Sequence, residues 1–201
     1  MQTILHKNDL SNGINFSNII AADCEMMGLQ PNRDPLCLIQ LYDGKGDCHL
    51  VQFIDQNFDA PNLKKLLSSD KTFIFHYARH DLAAIKHDLN IMIKNVYCTK
   101  ISSKIARTYS QGHGYKDLCK ELLNIDISKK KQSSDWSNPN LSKEQNIPCR
   151  IRSPLSNSSK FLAQQKTLNI MVFFIIILSF FITMSCIKLT KYAHNVVSTP
   201  I

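Results

Sequence analysis

An apolar stretch, Ile19, Ile20, Ala21 and Ala22, runs straight into Asp23 and Glu25. No other feature limits so tightly what this 201-residue chain can become. A short apolar run of this kind forms a strand buried on both faces. Side chains alternate along a strand, so Asp23 and Glu25 leave from the same face. Two carboxylates held close together repel unless a cation sits between them. Hard oxygen donors suit Mg2+ or Mn2+. A solvent-washed surface strand can carry the same Asp-x-Glu, and the pair alone leaves both readings open.

Apolar runs of strand length stand at about 18–23, 36–42, 49–54, 72–77 and 95–98. The first three follow one another through short turns such as 43–47, Asp-Gly-Lys-Gly-Asp, which is hairpin chemistry. Later the period switches to that of helices, at 62–67, at 82–89, from Thr99 to about 109, and from about 115 to 123 after a Gly-His-Gly break. Three strands followed by alternating helices and strands predict an α/β layer on a mixed five-stranded sheet with flanking helices. Residues 1–16 hold no continuous apolar core and do not have the form of a signal peptide.

Two further motifs extend the acidic strand end. At 72–82 an apolar strand runs through His76 into a polar turn, and Asp81 opens the next amphipathic helix. Then come Tyr97-Cys98-Thr99-Lys100, the helix around Lys116-Asp117-Leu118-Cys119, and Gln132-Ser133-Ser134-Asp135-Trp136. In this order and spacing, over about residues 15–145, the segments resemble the ribonuclease D branch of the DEDD 3′→5′ exonucleases. The short bacterial members without a helical accessory domain are the most similar in layout.

The resemblance implies a ribonuclease H-like exonuclease fold and a metal-dependent exoribonuclease acting on RNA 3′ ends of the tRNA-processing kind. It implies two divalent cations, Mg2+ or Mn2+, about 4 Å apart, and no small-molecule cofactor. Asp23 would bridge both cations, Glu25 would bind one and meet the terminal sugar hydroxyl, and Asp81 would hold the second. Met26, Met27 and Leu29 would wall the terminal nucleotide. His76 is either a strand-end structural residue or a substrate contact. Gln132 and Trp136 match a signature at the rim of the site, where Trp136 either packs down a helix or stacks on RNA.

The family also carries Tyr-x-x-x-Asp on its last helix, to orient water and complete the ligands of one cation. Here no acid follows Glu144, and the only later tyrosine is Tyr192. The composition breaks at the same place. Residues 1–145 hold 18 Lys and Arg against all 16 acids, whereas 146–201 hold the other 6 bases and none. The chain's +8 is therefore mostly a property of its tail, and the folded part is too balanced for charge alone to indicate RNA.

The organisation expected is an exonuclease domain over 1–145, incomplete at its last helix, a polar basic linker over 146–167, a charge-free hydrophobic run over 168–187, and a short tail over 188–201. The run is long enough for a single transmembrane helix, which would place a cytoplasmic nuclease domain against a membrane. One choice of codons for Pro148 to Ser153, read one nucleotide later, spells His-Ala-Ala-Ser-Asp, the missing motif with His for Tyr. A frameshift near codons 143–147, a membrane-anchored variant and a divergent tail are the three readings of this end. The missing motif implies either an impaired exonuclease or, as the alternative, a non-catalytic nucleic-acid-binding remnant or membrane-tethered domain. Seven scattered cysteines without a C-x-x-C pair fit buried thiols in a reducing compartment, not a zinc site or a disulfide framework.

Overall fold

The computed structural model describes residues 2–126 and 136–141. Six strands, β1 (Thr3–Lys7), β2 (Ile19–Met26), β3 (Leu36–Tyr42), β4 (Cys48–Gln52), β5 (Thr72–Phe75) and β6 (Asn95–Cys98), form one sheet in the order β1-β4-β3-β2-β5-β6. β2, β3 and β4 make an antiparallel meander. β5 lies parallel to β2, β6 parallel to β5, and β1 parallel to β4. The helices are α1 (Pro61–Leu67), α2 (Arg79–Ala84), which continues as a π-helical turn over Ile85–Leu89, α3 (Thr99–Ala106) and α4 (Tyr115–Leu123).

The sequence predicts five strands, and β1 is the sixth. It was hidden because an edge strand buries little: His6 alone of its five residues is buried. Its Thr-Ile-Leu-His-Lys therefore lacks the apolar run that marks the interior strands. Three other expected elements end early, the first being the strand expected at about 49–54, which stops at Gln52. The strand expected over 72–77 stops at Phe75, because the chain turns at Tyr77, which holds a left-handed φ of 66°. The helix expected from Thr99 to about 109 stops at Ala106. There the buried Arg107 guanidinium donates to Ser103 Oγ, Ser110 Oγ and the Gly112 carbonyl, and pairs with Glu121 on α4.

Local chemistry fixes the remaining joints. Asp43 accepts from the N–H groups of Lys45 (3.1 Å) and Ser17 (2.9 Å), which closes the β3–β4 turn against the start of β2. α1 has Pro61 at its first turn and an N-cap residue, Ala60, that cannot cap. Asp9, from the segment after β1, accepts from the Asn62 and Leu63 N–H groups instead, at 3.0 and 2.9 Å.

Strand alternation splits the interior into two layers. On one face Ile20, Ala22, Cys24, Ile39, Leu41, Val51, Phe73 and Phe75 pack with Leu63 and Leu67 of α1 and with Ile85 and Leu89. On the other, Ala21, Leu38, Tyr42, Cys48 and Leu50 pack with Leu123 of α4, Trp136 and Leu141. The cysteines at 24, 37, 48, 98 and 119 are all free thiols, and all but the half-buried Cys98 are buried. The linker, the hydrophobic run and the terminal tail, with the junction at codons 143–147, lie outside the described residues. Among the described residues no helix is long and apolar enough to cross a membrane.

Candidate active site

The β2–β5 pairing ends at Ala21 and Ile74, while β2 itself runs on to Met26. The far end of β2 therefore projects past its parallel partner, as happens where a crevice opens beyond the carboxyl ends of parallel strands. Asp81, on the third residue of α2, closes this gap. Its Oδ1 accepts from the Cys24 N–H at 2.9 Å, and the side chain is buried. Asp81 thus docks on the backbone of the one residue that separates Asp23 from Glu25. Burial raises the Asp81 carboxyl above its ordinary value, against the opposing hydrogen bond from Cys24. The Cys24 thiol is pushed well up, first by burial and then by the charges of Asp81, Asp23 and Glu25. The charges of all three acids thus oppose ionisation of the same buried thiol.

Asp23 and Glu25 are half-buried on the face of the sheet that looks toward α4. Asp23 stands opposite Gln40 of β3, and the Gln40 Nε2 donates to Glu25 Oε1 at 3.4 Å. Beyond Glu25 the β2–β3 register shifts, a bulge that re-aims the strand end. Three hard carboxylates, Asp81 buried and Asp23 and Glu25 half-buried, fit Mg2+ or Mn2+ in donor chemistry. A buried acceptor with no hydrogen-bond partner, Gln40 Oε1, adds an unmet demand beside them. Among the described residues no group of three or more His, Cys, Asp or Glu side chains is placed so that it could hold a metal ion as it stands.

The other expected residues separate. Met27 and Leu29 are exposed on the loop after β2, at 59% and 71%. That loop is drawn tight by Asp34, which accepts from the Gln30 N–H at 3.0 Å and pairs with Arg33, whose guanidinium holds the Asp34 carboxyl down at about 2. The turn passes so close that a Cβ on Gly28 would collide with the Asp34 carboxylate. Met26, by contrast, packs on the α1–α2 core and does not share the loop's exposure. Trp136 packs against the α4-side core, and its Nε1 is buried without a hydrogen-bond partner. Gln132 lies outside the described residues.

His76 sits at the turn, half-buried, with Nδ1 2.9 Å from Thr99 Oγ1 and its ring against that of Tyr115. Thr99 donates to the Phe75 carbonyl at 3.2 Å, so its oxygen receives the proton on His76 Nδ1. Burial and the neighbouring Lys100 charge push the His76 pKa down to about 4, although Asp117 opposes. Next to it the Lys100 ammonium rests 3.9 Å from the centre of the Tyr77 ring. Sequence reasoning missed Gln40 as a neighbour of the acids. Its signal was present: one amide inside the otherwise apolar strand Leu-Cys-Leu-Ile-Gln-Leu-Tyr.

Comparison with known proteins agrees with this fold. The family model described as 3′-5′ exonuclease matches residues 2–147. A structure of Brucella melitensis NrnC with bound Mg2+ is 34% identical, with a TM-score of 0.73 over 100% of this chain and 98% of that one. NrnC bound to pGG is 36% identical over the same shares, with a TM-score of 0.70. Escherichia coli RNase D, an exoribonuclease involved in structured RNA processing, is 19% identical over 77% of this chain and 40% of that one, with a TM-score of 0.59, a likeness of fold. No curated protein matches the chain.

Proposed function

We propose, from the premise that this chain belongs to the 3′-5′ exonuclease family, that it hydrolyses RNA from the 3′ end with two divalent cations held by Asp23, Glu25 and Asp81. The observation that carries this reading is the Asp81 carboxylate bound to the Cys24 N–H, between the two acids of β2. Cations bound there would supply the charge that offsets the phosphate and lowers the barrier to attack by water. The chain's own residues do the rest. The Cys24 N–H fixes Asp81, Gln40 meets Glu25, and the low-dielectric setting strengthens every charge interaction at the strand end. The exposed Met27 and Leu29 provide an apolar surface beside the acids, suited to the flat face of a terminal base.

Turnover is depressed, because no Tyr-x-x-x-Asp follows residue 141. One lost cation ligand and a lost water-orienting hydroxyl together lower the rate by roughly a hundredfold or more. The RNase D resemblance points to tRNA-type 3′ ends. A second substrate reading, a very short oligonucleotide, is favoured by the likeness to NrnC bound to pGG over 100% of this chain and 98% of that one. Membrane tethering through 168–187 would come in addition to either.

The test uses the full chain with 5′-labelled single-stranded RNA, a tRNA carrying a 3′ extension, and a dinucleotide, each with Mg2+, Mn2+ or EDTA. Expected is metal-dependent shortening from the 3′ end, about a hundredfold slower than Brucella melitensis NrnC under the same conditions. No shortening in any metal removes the enzymatic reading. A rate equal to that of NrnC removes the impairment.

A further inference from the structure

We propose that Gln40 is a positioning residue for Glu25, one that sets the cation affinity of the acidic strand end, a role that rests on the metal-dependent reading above. Gln40 is 3% exposed in the middle of β3, whose every residue is buried. An amide in such a place is costly unless its groups are bonded. Only one end is: Nε2 donates to Glu25 Oε1 at 3.4 Å, while Oε1 has no partner. Turning the amide over would set its carbonyl oxygen against a carboxylate, acceptor against acceptor, so the orientation is fixed. Gln40 stands opposite Asp23, and its reach to Glu25 is the diagonal to the next residue on the same face. One side chain therefore spans both acids of β2. It restrains the carboxylate of Glu25 and leaves a buried acceptor beside it that a water at the occupied site would satisfy.

The same sheet holds a matched control. Gln52 of β4 is 1% exposed and lies on the same face, opposite Leu38. Its Nε2 is also bonded and its Oε1 also lacks a partner. The difference is what the nitrogen holds, which for Gln52 is the Asn138 carbonyl at 2.7 Å. A role in packing alone would make the two residues equivalent. A role in orienting an acid separates them.

Mn2+ binding to the full chain is measured by the loss of the free-ion electron paramagnetic resonance signal, with thermal melting alongside. Removing a residue that orients a metal ligand weakens affinity 10–100-fold. Expected is a rise of about tenfold or more in the Mn2+ Kd for Gln40→Met, and a change of less than about twofold for Gln52→Met, with similar melting shifts in both. Gln40→Asn, which keeps the amide but withdraws it by one methylene, weakens binding in the same direction and serves if the Met variant does not fold. Equal Kd values in the wild type and the Gln40 variants, or equal losses at Gln40 and Gln52, overturn the proposal, as does a wild-type chain that binds no Mn2+. Mn2+ binding with the expected contrast but no shortening of RNA supports the role of Gln40 while removing the exonuclease reading.

Discussion

On the α1–α2 face of the sheet the side chains are almost wholly apolar, and the buried polar groups there are each bonded: His6 and His49 to each other at 3.0 Å, with Ser11 on the far nitrogen of His6, and Asp81 of α2 to the Cys24 N–H. The α4 face is built differently. It carries Asp23, Glu25, Gln40 and Gln52 among its leucines, and three of its buried polar atoms, on Gln40, Gln52 and Trp136, have no hydrogen-bond partner. Unpaired buried polar groups are rare in native proteins and call for a specific reason. Here they gather on the face from which the acids project. The first face supplies stability, and the second keeps unmet polar demand where water, a cation or a substrate can meet it. Strand alternation thus sets Asp23 and Glu25 apart from the apolar core, while α2, packed on the other face, brings Asp81 to the backbone between them.

That separation predicts mutations that act on one side only. Leu63 of α1 is fully buried in the first core. Leu63→Ala should cost ~2–5 kcal/mol of stability, from lost transfer energy and the cavity left behind. It should leave the Mn2+ Kd unchanged. Denaturant unfolding and metal titration on the same sample check this, and a large change in Kd would show that the two faces are coupled.

Asp81→Asn is the reciprocal test. The amide oxygen can still accept from the Cys24 N–H, so the docking of α2 on β2 survives. What is lost is the negative charge, and with it a hundredfold or more in rate, or about 3 kcal/mol of barrier. The melting temperature should hold or rise slightly, because burial already disfavours the charged carboxyl. A fall of many degrees would mean that the Asp81 charge is structural and that the comparison between the faces has been drawn in the wrong place.

How much of this was readable from the chain follows the same division. β2, β3 and α4 declared themselves through apolar runs or helical spacing, and α4 is found at 115–123, as expected. The acids were visible because a charged pair ends an apolar run. β1 was not, because an edge strand needs no apolar run. The stop of β5 at Phe75 was not, because a left-handed Tyr77 is set by the surrounding fold and not by its own preference. Gln40 was passed over because a single amide in a strand gives no clue to its cross-strand partner, which only the register supplies.

The smallest expected effect tests whether the turn at His76 belongs to the second face. In the folded chain the His76 pKa lies at about 4, below its ordinary 6.5. Between these values the unfolded chain takes up a proton that the folded chain refuses. Stability is therefore complete above about pH 6.5 and is lost as the pH falls toward 4. His76 is partly exposed, so solvent screening reduces the contribution to roughly 1 kcal/mol. For a chain of this size that is a fall of ~2–4 °C in melting temperature. His6 and His49, also lowered by burial, add a slope of the same sign, so the measurement is a difference. His76→Asn should flatten the acid side of the curve by that amount, while His49→Asn removes its own contribution on the first face and leaves that of His76. The same metal and RNA assays then divide the two roles of His76. A variant that loses the pH slope but keeps its KM for RNA marks a structural turn residue held by Thr99 and Tyr115. A variant whose KM rises several-fold with an unchanged melting curve at pH 7.5 marks a substrate contact.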